Sequence, residues 1–177
     1  MLKKIRFKIF FLIYRIVVKF RSPKLIALMI YISARKLQGI KKAKTSKKML
    51  IIEKSFGIED IRSTFKKTAP KYEILVIQKK IFKYIYNIYL NDEKITDGYY
   101  FSSMPRIIQK KAKLRNFYFK IIYELKKKID LEVVLGFNYA YRSLRELVPA
   151  CKLNNVKTVV CQKESNFLNG ELPEMID

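Results

Sequence analysis

Length, composition and charge narrow the classes of protein to which this chain can belong. Its 177 residues are enough for one domain that buries roughly 70% of its unfolded surface, and a hydrophobic fraction of 50% excludes disorder throughout. Because the chain has no histidine, an imidazole base and a His-containing metal site are excluded. Residues 1–48 carry 15 Lys/Arg and no acid, whereas residues 49–177 carry 23 Lys/Arg and 15 Asp/Glu. This uneven charge predicts an anionic surface as a partner.

Two helices are predicted at the amino terminus, over residues 1–21 and 24–37, with Ser22-Pro23 between them. Because Arg15 interrupts the apolar run, the first helix is not predicted to span a membrane; a basic amphipathic helix lying on an anionic leaflet is the better interpretation. The alternative is that both helices pack on the domain and expose only their lysines. At about 100° per residue, four basic residues share a narrow arc beside a broad apolar face: Lys4, Lys8, Arg15 and Lys19.

Residues 40–48 form a basic linker between these helices and the rest of the chain. It is predicted to be a solvated loop, and contact with lipid phosphates is the functional alternative. Nucleic acid would be a third anionic partner, but the sequence contains no RNP-type aromatic motif, zinc finger or recognisable helix-turn-helix that favours it. We therefore predict a cytoplasmic protein that is peripheral at the inner face of the membrane.

Short apolar runs and helical segments alternate from residue 49 onward. The pattern predicts an α/β fold, a Rossmann-like open, mostly parallel sheet with helices on both faces, preceded by the two amino-terminal helices. It divides the chain into a helical segment with linker, 1–48, and a Rossmann-like domain, 49–177. A turn and a short strand are also expected over Thr96–Phe101. The predicted strands are 49–53, 73–77, 132–136 and 157–161; the predicted helices are 58–67, 79–90 and 105 to about 128.

The segment 131–165 is typical of a strand, loop, helix, turn and strand, about the length of one βαβ crossover. Pro149 should kink its helix or begin a new turn, and Asn154 or Asn155 can supply the left-handed residue that ends it. Two cysteines, Cys151 and Cys161, are interpreted as buried free thiols. The helix carries an apolar stripe at Leu144, Leu147, Val148 and Cys151.

A family resemblance rests on this same segment. The stretches DLEVVLGFNYAY, REL and ACKLNNVKTVVCQKES resemble part of the amino-terminal domain of bacterial surface-polysaccharide glycosyltransferases, the capsule-synthesis and glycerophosphotransferase-like proteins of the two-domain GT-B type. The shared features are a strand ending in an Asn-plus-aromatic loop at Asn138, Tyr139 and Tyr141, a helix with Arg145-Glu146-Leu147, and a strand closed by Lys163-Glu164. The resemblance covers about 35 residues.

The ends of two parallel strands should meet at one edge of the sheet, which makes their polar residues candidates for a site. Glu164 is the candidate catalytic residue, as a general base for an acceptor hydroxyl. The structural alternative is that Glu164 pairs with a lysine and Asn138 caps the helix that follows. The candidate substrate-binding residues are Asn138, to orient a hydroxyl, Lys163, to hold a phosphate or carboxylate, and Tyr139 and Ser165 beside them.

Two functions follow as hypotheses. The resemblance implies the acceptor-side half of a membrane-associated glycosyl or glycerol-phosphate transferase, with a saccharide acceptor. In that family a second domain holds most contacts to the nucleotide-activated donor, so we expect a separately encoded donor-binding domain as partner and no cofactor on this chain. The second hypothesis is a non-catalytic, basic membrane-surface or interaction protein that contains an α/β domain.

Overall fold

A computed structural model of the chain describes residues 2–53, 57–90, 103–136 and 142–160, with the backbone alone at 2–8, 53, 142 and 143. Seven helices and five strands lie within these ranges. The helices are α1 Leu2–Lys19, α2 Pro23–Ser33, α3 Ile58–Lys67, α4 Lys80–Leu90, α5 Pro105–Ile129, α6 Arg142–Arg145 and α7 Leu147–Leu153. The strands are β1 Arg35–Lys36, β2 Lys48–Glu53, β3 Glu73–Gln78, β4 Leu131–Gly136 and β5 Lys157–Val160.

The five strands form one sheet in the order β1-β3-β2-β4-β5. Strands β2, β3, β4 and β5 are mutually parallel where they pair, and only β1 is antiparallel to its neighbour β3. The predicted open, mostly parallel sheet is therefore confirmed. Helical crossovers between parallel strands place the helices on the faces of the sheet, which explains why the central strands β2, β3 and β4 are apolar on both sides.

Each face of the sheet has its own hydrophobic cluster. The larger one joins Leu50, Ile77 and Val134 of the strands to α1, α2, α4, α5 and α7. The smaller one joins Ile51, Val76 and neighbouring strand residues to the apolar side of α3. Helices on both faces are thus confirmed, and the two amino-terminal helices share the larger cluster with the sheet.

The second helix is shorter than its sequence predicts. It ends at Ser33 rather than residue 37, because Ala34 is extended and the chain then pairs with β3 as the two-residue strand β1. The amide of Leu37 donates to the carbonyl of Ile74 at 3.0 Å, so the sheet edge satisfies a group that the helix would otherwise have bonded.

The crossover between β4 and β5 agrees with the sequence. A turn at Glu146 separates α6 from α7, and Pro149 lies in the first turn of α7, where its missing amide hydrogen costs no helical bond. Asn155 has a φ of 52° and turns the chain into β5, as predicted. Of the predicted stripe, Leu144, Leu147 and Cys151 are buried and Val148 is half-buried. The free thiol of Cys151 is confirmed.

The buried face of α5 differs from the predicted one. The sequence pattern selected Ile108, Ala112, Phe119, Ile122 and Leu125, of which Ile108 and Ala112 are exposed and only Ile122 and Leu125 are buried. This helix has apolar residues on two adjacent faces, so periodicity alone did not choose between them. The side that packs into the larger cluster carries Ile107, Leu114, Phe117, Tyr118, Ile121, Ile122, Leu125 and Ile129.

Candidate functional site: a two-sided helix and the edges of the sheet

The carboxyl ends of β4 and β5 meet, as the predicted site requires. Gly136 pairs with Val160 in parallel register, so the segments after both strands leave the same edge of the sheet on adjacent strands. The candidate residues themselves, Asn138, Tyr139, Lys163, Glu164 and Ser165, lie outside the described residues, as do Tyr141, Cys161 and Thr96–Phe101. The catalytic and substrate-binding assignments therefore stay predictions.

Helix α1 has an inner face that anchors it to the domain. Phe11, Tyr14 and Val18 are buried in the larger cluster. The hydroxyl of Tyr14 donates to the carbonyl of Ile81 at 3.3 Å, and burial raises the pKa of this phenol well above its usual value. The rings of Phe11 and Tyr14 lie 5.8 and 6.2 Å from that of Tyr84 on α4, in tilted arrangements. This aromatic contact fixes the orientation of α1 on the domain.

The opposite side of α1 is apolar and exposed, and Phe20, directly after its last residue, continues it. We call these residues the α1 outer face: Ile9, Leu12, Ile13, Ile16 and Phe20. At about 100° per residue these five positions cover roughly a 100° arc, diametrically away from the buried residues. Leu12 is 60% exposed and Phe20 is 74% exposed. The alternative in which the amino-terminal helices expose only their lysines is therefore wrong for α1.

Helix α2 repeats the same two-sided pattern. Ile26, Ala27 and Ile30 are buried in the larger cluster, whereas Leu25, Leu28 and Ile32, the α2 outer face, are exposed. Of the fifteen exposed large apolar side chains in the described ranges, eight belong to α1 and α2, and a ninth, Phe20, directly follows α1. Such a concentration departs from the scattered single exposures that ordinary surfaces show. The two outer faces together are called the amphipathic surface below.

Basic side chains border the amphipathic surface. Lys19 and Lys24 are exposed near the junction of the two helices. The guanidinium of Arg15 lies 5.7 Å from the ring centre of Tyr84, and that of Arg21 lies 5.2 Å from the ring centre of Tyr89. Arg15 is thus held at the side of α1 that adjoins α4, while Lys4 and Lys8 lie in the described helix but outside the described side chains.

A buried polar group behind the crossover has a structural role. Glu146, 5% exposed, accepts a hydrogen bond of 2.7 Å from Nε of Arg115 on α5. Asn154 donates from its side-chain amide to the carbonyls of Phe119 and Ala150, at 3.0 and 2.9 Å. These bonds join α5 to the turns at both ends of α7.

Burial raises the pKa of the Cys151 thiol, which makes it a poor nucleophile.

The basic linker is a structured loop at the amino ends of the strands. Its backbone bonds to the segment that connects α3 to β3, and Lys36, Lys48 and Glu73 form an ion-paired group beside it. Hydrogen bonds from Lys36 first, and then from Lys48, lower the pKa of the Glu73 carboxyl. This grouping has no signal in the sequence, because Lys36 and Glu73 are far apart along the chain and meet only when β1 pairs with β3.

No helix in the described part of the chain is long and apolar enough to cross a membrane. Within the same ranges, no group of three or more His, Cys, Asp or Glu side chains is placed to hold a metal ion. Comparison with protein-family models, with curated proteins and with solved structures gave no match.

Proposed function

We propose that this chain is a peripheral membrane-binding protein that attaches its α/β domain to an anionic leaflet through the amphipathic surface. The observation that carries the proposal is the two-sidedness of α1. Its inner face is already packed on the domain through Phe11 and Tyr14, and yet its outer face presents five large apolar side chains. An outer face of this kind can enter the headgroup region without any loss of core packing.

Charge favours an anionic bilayer over a second copy of the chain as the occupant of this surface. Residues 1–33, which contain both helices, carry eight basic and no acidic residues, so two copies meeting through these helices would repel each other. An anionic leaflet attracts the same charges, by about 1 kcal/mol for each Lys or Arg near the surface. The cytoplasmic leaflet carries such a charge, which supports an inner-face location.

The test is flotation of the whole chain with vesicles that contain about 30 mol% phosphatidylglycerol, against vesicles of phosphatidylcholine alone. Binding to the anionic vesicles, release at about 1 M salt and weak binding to neutral vesicles are expected, because salt screens the electrostatic part of the attraction. Equal binding to both vesicles, or binding to neither, contradicts the proposal. A stable dimer in solution with the amphipathic surface protected would instead assign that surface to a second copy.

The acceptor-side half of a glycosyl or glycerol-phosphate transferase remains a second candidate. One observation favours it. Gly136 and Val160, the last residues of β4 and β5, pair in parallel register at one edge of the sheet, and Asn138 and Glu164 follow them in the sequence. We expect Glu164→Gln to abolish turnover in any preparation that transfers a sugar or glycerol phosphate to a saccharide acceptor, because the acceptor hydroxyl would lose its general base. An unaffected Glu164→Gln variant in an active preparation would refute the assigned base.

A further inference from the structure

A second basic site lies at the amino ends of the strands, on the far side of the domain from the predicted site at the carboxyl edge. There a cavity of about 540 Å³ is bounded by β1, the linker loop 40–46 and the first residues of β3. Its wall includes Lys36, Lys41, Lys42 and Lys44, together with Glu73. Its volume falls in the range of ordinary small-molecule sites.

Backbone hydrogen bonds hold the wall of this cavity in place. The amide of Lys41 donates to the carbonyl of Phe65 at 3.0 Å, and that of Lys44 donates to the carbonyl of Pro70 at 2.9 Å. Thr45 is bound twice to the carbonyl of Lys71, by its amide at 3.1 Å and by its hydroxyl at 2.7 Å. The lysines therefore extend from a backbone whose shape is fixed before any ligand binds, which lowers the entropic cost of binding.

The charges around the cavity are unbalanced. Four lysines and one glutamate line it, a net charge of +3. The carboxylate of Glu73 pairs with Lys36 and also with Lys48. Within the described ranges, Lys41, Lys42 and Lys44 form no ion pair with a carboxylate. Three cations thus face one open cavity, where their mutual repulsion is relieved by an anion.

The floor of the cavity is apolar. Leu37 and Ile74 are buried there in the smaller core cluster, and Ile40 packs against them. This cluster belongs to the face of the sheet covered by α3, whereas the amphipathic surface belongs to helices on the other face. The cavity is therefore separate from the amphipathic surface.

We propose that this cavity binds a small phosphate-bearing molecule with at least two negative charges, whose carbon skeleton rests on Leu37, Ile40 and Ile74. Ammonium groups act as point charges toward phosphate oxygens, so several lysines around one cavity suit a phosphate or diphosphate of variable geometry. The same chemistry is present in a free phosphorylated metabolite and in a lipid headgroup. The position of the cavity on the α3 face favours the free molecule.

The proposal is tested by titrating the whole chain with inorganic pyrophosphate in a calorimeter at about 50 mM salt, where screening is moderate. Pyrophosphate is expected to bind, and Lys41→Gln/Lys44→Gln is expected to weaken binding about tenfold, since two charge-assisted contacts are lost at a partly solvated site. The matched control, Lys113→Gln/Lys120→Gln, removes the same charge from exposed positions on α5 and should change the affinity less than about twofold.

A third variant changes the affinity in the other direction. Glu73→Gln removes the one carboxylate of the wall, so pyrophosphate should bind more tightly to it than to the unaltered chain. The proposal would be overturned if pyrophosphate did not bind, or if the pocket variant, Lys41→Gln/Lys44→Gln, lost no more affinity for pyrophosphate than the control variant. It would also be overturned if the pocket variant lost affinity only for anionic vesicles, or if a single-stranded oligonucleotide bound more tightly than pyrophosphate and displaced it from the cavity.

Discussion

Replacing Leu12 and Phe20 of the α1 outer face together by glutamine should weaken membrane binding, because it removes part of the apolar surface that enters the bilayer. Full burial of such a side chain is worth about 1.5–3 kcal/mol relative to exposure. With about 2 kcal/mol for each, the exposed fractions of 60% and 74% give about 2.7 kcal/mol for the pair. At about 1.4 kcal/mol for each factor of ten, the partition coefficient should fall roughly a hundredfold.

The assay is the bound fraction in vesicle flotation as a function of lipid concentration, measured with anionic vesicles at about 0.1 M salt. A matched control, Ile108→Gln/Leu153→Gln, removes apolar side chains that are 50% and 65% exposed on α5 and α7. This control should partition as the unaltered chain does. If the Leu12→Gln/Phe20→Gln variant also partitions normally, or if the control falls by the same factor, the amphipathic surface is not what enters the bilayer.

Three further predictions concern the fold. Tyr14→Ala should lower the free energy of unfolding by about 3–5 kcal/mol in urea, because it empties a fully buried ring site, whereas Tyr14→Phe should cost only about 0.5–1.5 kcal/mol. Glu73 has a lowered pKa, so its ion pairs stabilise the fold at pH values above its unfolded-state pKa of 4.5. Their contribution, about 0.5 kcal/mol relative to Glu73→Gln, should be lost as the pH falls from there through the lowered folded-state pKa. A difference that grows in acid would contradict this. In a Cys161→Ser background, Cys151 should react with a disulfide reagent only at the rate of unfolding, and fast labelling of the native chain would show that it is not buried.

The parts of the fold that carry local signals were predictable from the sequence. Pro149 and Asn155 are residue types whose backbone preferences act over one or two positions, and both lie where those preferences place them. The parallel strands were predictable because apolar runs of strand length alternate with helical patterns. Neither signal depends on contacts with residues that are distant in the sequence.

The features that the sequence did not reveal depend on tertiary contacts. β1 has two residues, too few for a periodic pattern, and it exists because β3 offers an unpaired edge. The apolar residues of α5 lie on adjacent faces, and the choice between them is made by the packing of α2, α4 and α7. Lys36 and Glu73, which both line the cavity, come together only because β1 pairs with β3.

The amphipathic surface and the lysine-lined cavity should act independently, since the sheet separates the helices that form one from the loop that forms the other. Charges farther apart than about 10 Å are largely screened at about 0.1 M salt, and α1 packs on the face of the sheet opposite to the cavity floor, so we expect an anionic leaflet against α1 to add little to the potential at Lys41 and Lys44. A ligand at one site can change the affinity of the other site only if it binds the two states of the protein differently, and any such coupling is reciprocal. Pyrophosphate should therefore bind with the same affinity in the presence of saturating anionic vesicles, whereas competition between the two would mean that the cavity itself faces the membrane.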